Sequence, residues 1–143
     1  MWIIIVNHVK LSIFAETKLT ALFLMNDKYT PGRHLLLTLQ VEDVLLLTSL
    51  DPFLEFTKDQ IKVNHLNIVG TSTHTFQGGG FTAAICLMES HICIHTWPEF
   101  GQLTLDIYLC NYLKDNSDKV FRLGRLFKDY FNAIVINETV VDR

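Results

Sequence analysis

Phe81 to Leu109 reads FTAAICLMESHICIHTWPEFGQLTLDIYL. Three apolar alternations follow one another here: Phe81 to Met88, His91 to Trp97, and a run from Leu103 to Cys110. Only Glu89 and Ser90 separate the first two. Period-two alternation with such short connections is the pattern of antiparallel strands in a meander. On the middle strand, His91, Cys93, His95 and Trp97 point to one face, and Ser90, Ile92, Ile94 and Thr96 to the other. Upstream, Leu66 to Phe76 is rich in Val, Ile and Thr and reads as another strand. It ends at Gly78, Gly79 and Gly80, which permit a tight turn or a close backbone approach.

Working outward, RHLLLTLQ (Arg33 to Gln40) is a short apolar run bounded by Pro31 and Gly32, and is expected to be the first, buried strand. Asp51 followed by Pro52 is the signature of a helix start, with a cap acid ahead of a proline at the first helical position, so a helix is expected over Phe53 to Val63. Ser117 is the expected cap of a second helix, whose stripe is Val120, Leu123, Leu126, Phe127, Tyr130 and Phe131. Ala133 to Asn137 reads as a last strand. Helices interrupting antiparallel strands imply an α+β fold, a two-layer sandwich with two helices on one face of the sheet.

A chain of 143 residues, 49% hydrophobic and 19% charged, is the size of one domain with one core. A net charge of -3 provides no basic field, which argues against a nucleic-acid partner. Cys86, Cys93 and Cys110 form no CxxC pair and are odd in number, which suits a reducing, cytoplasmic compartment. The apolar run Trp2 to Val6 is too short to span a membrane, so none is expected as a partner. Met25 opens MNDKYTPGRHLLLTL just before the first patterned segment. Residues 1–24 are therefore read as a dispensable extension, and 25–143 as the domain.

Met88 to Gly101, MESHICIHTWPEFG, concentrates two carboxylates, a serine, two histidines and a tryptophan. His91 and His95 could ligate zinc, but a third protein ligand is missing and the pair lies on a strand rather than an HExxH helix. Ser90 and His95 could be a nucleophile and base, but no GxSxG elbow is present. The segment could equally close a hairpin with no chemistry at all. Residue types and spacing leave these readings open.

ESHICIHTWPEFG closely resembles the self-processing site of the prokaryotic S-adenosylmethionine decarboxylases, an ESH-x-x-IHTWPE-aromatic-G sequence. GRHLLLTL (32–39), STHTF (72–76) and LDIYLC (105–110) resemble further strands of that family, so the likeness covers about Pro31 to Ala133. It implies a pyruvoyl-dependent carboxy-lyase made as a proenzyme and cleaved between Glu89 and Ser90. Ser90 would become the pyruvoyl cofactor, which forms a Schiff base with the substrate amine. His95 would be the processing base and Cys110 the proton donor, while Thr82 stands where the family has a processing serine. Phe76 would pack against the substrate sulfonium and Glu99 would contact ribose. No metal is implied, and the product would be the aminopropyl donor for spermidine synthesis. The family's site lies between protomers, so a homodimer of cleaved chains (1–89 with 90–143) is expected. The loop QGGGFTA (77–83) and Thr75 depart from the family pattern beside the substrate pocket. This keeps a pyruvoyl-dependent ornithine or arginine decarboxylase as the alternative and a catalytically inactive regulatory subunit as the second.

Overall fold

In the computed structural model, which describes residues 30–143 other than Leu113, the sheet begins with Arg33–Gln40 (β1). Two helices follow, Val44–Thr48 (α1) and Leu50–Val63 (α2), and then the strands Ile68–Thr75 (β2), Phe81–Leu87 (β3), Ser90–Trp97 (β4) and Gln102–Leu109 (β5). A 3-10 turn, Pro98–Phe100, joins β4 to β5. Ser117–Tyr130 (α3) and Ile134–Asp142 (β6) complete the order. The expected extension, residues 1–24, lies outside the described residues.

All pairings are antiparallel, in the order β2-β3-β4-β5-β1-β6. The meander β2 to β5 is continuous, as its alternation and short turns dictate. β1 then adds beside β5, and β6 beside β1. The alternation also settles which face is buried. Leu35, Leu37 and Leu39 of β1, Ile92 and Ile94 of β4, and Leu103, Leu105, Ile107 and Leu109 of β5 are all buried in one cluster. Phe53 and Ile61 of α2 and Val120, Leu123 and Phe127 of α3 close over them. The Phe53 ring lies 5.5 to 6.1 Å from those of Phe81, Phe127 and Phe131, knitting both helices to the sheet. Each such side chain, fully buried, contributes about 1.5 to 3 kcal/mol. The α+β two-layer sandwich is the one expected, with the helices of the described residues on one face.

The opposite face carries the other parity. Because the registers run without slip through β3, β4, β5 and β1, its side chains fall into rows across the strands: Cys86, His91, Tyr108 and His34; then Ala84, Cys93, Asp106 and Leu36; then Thr82, His95, Thr104 and Thr38.

Several boundaries differ from expectation. α2 starts at Leu50, so Asp51 sits in its first turn rather than capping it. The run VLLLT forms its own short helix, capped by Asp43, whose carboxylate accepts the Leu45 N–H at 3.1 Å. Ser117 is the first residue of α3, with Asn116 at the cap. β6 runs past Asn137 to Asp142, because the free edge of β1 offers pairing along its whole length and ends in the Arg33–Asp142 ion pair at 2.8 Å.

Candidate active site

The turn between β3 and β4 holds Glu89, and Ser90 opens β4 with φ 146°. A side chain rarely adopts that conformation, and holding one there stores about 1 to 3 kcal/mol. The peptide bond on its N-terminal side is also pinned. The carbonyl of Glu89 accepts the backbone N–H of Cys110 at 2.8 Å, one residue beyond the end of β5, and Met88 N–H donates to the Asn67 carbonyl at 2.9 Å. The Cys110 thiol is free and half-buried. Glu89, Ser90 and Cys110 are thus assembled by nothing more than the β3-β4 turn and the β4-β5 pairing.

Five residues along β4, His95 lies on the uncovered face. Its Nδ1 is 2.6 Å from the Thr82 hydroxyl across the β3-β4 ladder, and that hydroxyl is 3.0 Å from the Ile94 carbonyl. A hydroxyl has one proton. Both contacts are hydrogen bonds when Thr82 donates to Ile94 and accepts from Nδ1–H, a tautomer that leaves the His95 Nε2 lone pair free. His95 also borders a cavity of about 300 Å³ lined by Phe76, Trp97, Glu99 and the backbone of Gly78 and Gly80. Gly80 is there for space, since a Cβ would meet the Thr96 carbonyl at 2.7 Å and Pro98 Cδ at 2.9 Å. Beneath the cavity the buried Thr96 hydroxyl accepts the Phe81 N–H at 2.8 Å and donates to the Leu47 carbonyl at 2.8 Å, tying α1 to the end of the sheet.

The structure therefore brings the expected residues together in two groups: Glu89, Ser90 and Cys110 at one end of β4, and Phe76, Thr82, His95 and Glu99 at the other. It does not bring Ser90 to His95 within one chain. Five residues of strand span about 16 Å, too far for the two side chains to meet. His91 and His95 do not converge either. The His91 ring packs instead against His34 and Tyr108, at 5.8 and 5.7 Å. Among the described residues, no three His, Cys, Asp or Glu side chains gather as a metal site would require.

Burial holds the His34 imidazole below its ordinary pKa, helped by the positive charge of Arg143 and by His91, with Asp106 opposing. Burial pushes the Cys93 thiol up, with Asp106 and Cys86 adding to it, so Cys93 is a poor thiolate. The sequence assigns Trp97 no role of its own, although it shares the parity of His95 and lies 6.1 Å from it, ring to ring. Thr96 carried no such signal, because its partner Leu47 comes from a helix the sequence reading missed.

Residues 33–143 match the family model described as S-adenosylmethionine decarboxylase. Among curated relatives, an S-adenosylmethionine decarboxylase proenzyme of Archaeoglobus fulgidus is 30% identical over 112 residues, covering 78% of this chain and 96% of the relative. One from Picrophilus torridus is 33% identical over 94 residues, 66% of this chain and 72% of the relative. The crystal structure of the adenosylmethionine decarboxylase from Aquifex aeolicus superposes with a TM-score of 0.71 at 31% identity, covering 81% of this chain and 92% of that one. With every strand from β1 to β6 inside the match, this chain belongs to the S-adenosylmethionine decarboxylase family.

Proposed function

We propose that the chain cleaves itself between Glu89 and Ser90 and then decarboxylates S-adenosylmethionine, with residues 25–143 carrying the whole activity. The observation that carries this is the Glu89–Ser90 junction: a strained Ser90 whose preceding carbonyl is already hydrogen-bonded by the Cys110 N–H. The Ser90 hydroxyl attacks that carbonyl, and the Cys110 N–H is placed to hold the oxyanion as the amide becomes an ester. Nε2 of a His95 then takes the α-hydrogen of residue 90, and the ester leaves as the carboxylate of Glu89. The dehydroalanine that remains gains water and loses ammonia to give the pyruvoyl group, and cleavage relieves the strain at Ser90.

The His95 that acts cannot be the one on the same strand, about 16 Å away. A two-fold axis on the uncovered face, between the two groups, lays Thr82, His95, Phe76 and Glu99 of one subunit over Ser90 and Cys110 of its partner. Such an isologous dimer makes two equivalent sites and covers His95 and Trp97, both now open to solvent. In the assembled site the ketone at residue 90 supplies condensation with the substrate amine and a sink for the electrons that carbon dioxide leaves behind. Phe76 offers its face to a sulfonium and Glu99 its carboxylate to the ribose hydroxyls. The Cys110 thiol returns a proton to the substrate α-carbon.

Intact-mass measurement combined with carbon dioxide release tests this reading. The purified protein should contain pieces 1–89 and 90–143, with release from S-adenosylmethionine. Release from ornithine or arginine alone would transfer the function to a basic amino acid. An uncut chain would remove the enzyme altogether.

A further inference from the structure

We propose that Asn116 is the positioning residue that fixes the backbone of Cys110 and, through it, the reactivity of the Glu89–Ser90 bond. The proposal rests on the function above.

Cys110 is the first residue after β5, where a chain leaving a sheet would ordinarily be free to move. Here it is held on both sides. Its N–H donates to the Glu89 carbonyl at 2.8 Å, and its own carbonyl accepts Nδ2 of Asn116 at 2.8 Å. Asn116 is in turn fixed: its backbone N–H donates to Oδ1 of Asn111 at 2.8 Å, and Nδ2 of Asn111 donates to the Pro31 carbonyl at 2.7 Å. A chain of hydrogen bonds therefore runs from the start of the domain to the bond to be broken.

The use of Asn116 is not the one its position favours. It occupies the cap of α3, where an asparagine ordinarily accepts N–H groups of the first turn through its side-chain oxygen. Asn116 makes no such bond. Among the described residues its Oδ1 is buried with no partner, in a residue only 2% exposed, while its amide hydrogen goes to Cys110. Both the helix cap and a buried oxygen are forgone for this one contact. What the contact secures is the backbone on the far side of the Cys110 Cα, and with it the residue whose N–H lies on the scissile carbonyl and whose thiol must be aimed. Displacement of about 1 Å at such a group is enough to cost on the order of a hundredfold in rate.

Asn116→Asp and Asn116→Ser separate this role from a structural one, because both are preferred helix caps that lack the amide donor. The full chain should fold with an unchanged or raised Tm, yet its cleavage should slow by about tenfold to a hundredfold. Hydroxylamine, which cuts esters, should not speed it, because the slowed step precedes the ester. Once the chains are finally cleaved, kcat should fall with little change in KM, since the contact places the Cys110 thiol and not the Phe76 and Glu99 side chains that hold the substrate. If either variant fails to fold, the other carries the comparison. Cleavage and turnover at wild-type rates would overturn the proposal, as would losses that simply track a lowered Tm. A wild-type chain that never cuts at Glu89 would remove the proposed function first and this inference with it.

Discussion

Thr82 shows how a single hydroxyl can determine the chemistry of its neighbour. When its proton goes to the Ile94 carbonyl it accepts from His95 Nδ1–H, the tautomer that leaves the Nε2 lone pair of His95 free. Thr82→Val keeps the shape and removes that acceptor. Cleavage should then slow by about tenfold or more, up to the 10²- to 10⁴-fold cost of losing the general base itself, with Thr82→Ser restoring it. A valine variant cut at the normal rate would detach Thr82 from processing. At Cys110 the two groups in play are separable, because Cys110→Ala keeps the backbone N–H and loses only the thiol. It should therefore cleave normally and decarboxylate about 10²- to 10⁴-fold more slowly, and single-turnover carbon dioxide release reads this directly. His34 makes a different kind of statement. Its neutral form is favoured in the fold by burial and by Arg143 and His91, against Asp106, so its folded pKa lies below the unfolded value near 6.5. Between those values the unfolded chain binds the proton more readily, and stability falls as pH drops below about 6.5. The loss of Tm from about pH 7.5 to about pH 5.5 should be smaller in His34→Asn than in wild type. Equal losses would mean that His34 does not contribute.

At the level of elements, the parity of β4 was legible because period two is imposed by the strand itself. His91, Cys93, His95 and Trp97 lie on the open face as their spacing requires, and Ile92, Ile94 and Thr96 lie inward. What escaped was anything decided by a partner far along the chain. VLLLT has no helical period to announce it, yet it forms α1 because Asp43 caps it and Leu47 enters the core. Its far end is tied down by Thr96, 49 residues away. Likewise, β6 extends to Asp142 because β1 presents a free edge, something that Ala133 to Asn137 alone does not announce. The Asn116 contact to Cys110 is invisible to pattern reading, since the residue type suits a cap and the cap is not what it makes. The role of α1 can be checked at its cap. Asp43→Ala leaves the Leu45 N–H without its acceptor and should lower stability by about 0.5 to 2 kcal/mol in urea unfolding. Because α1 lies against the cavity end of the sheet, the same variant should bind substrate more weakly while cleaving its chain normally.

For the whole molecule, the decisive quantity is the separation of about 16 Å between Ser90 and His95 on one rigid strand. No side-chain rotation closes such a gap, and neither residue can leave β4 without breaking ladders on both sides. If the base acts at all, it acts from a second copy, and this leads to a test in which two inactive chains repair one another. Ser90→Ala has no nucleophile but a complete Thr82–His95 pair. His95→Ala has an intact Glu89–Ser90 junction and no base. Expressed alone, neither should yield the two pieces, although hydroxylamine should cut the His95→Ala chain by trapping its ester. Expressed together, they should form mixed dimers in which the His95→Ala chain is cut by the histidine of its partner, while the Ser90→Ala chain stays whole. A size tag on one chain identifies which was cut. Mixed dimers with no cleavage would place the base elsewhere, and cleavage of His95→Ala alone would show that no histidine from a partner is needed.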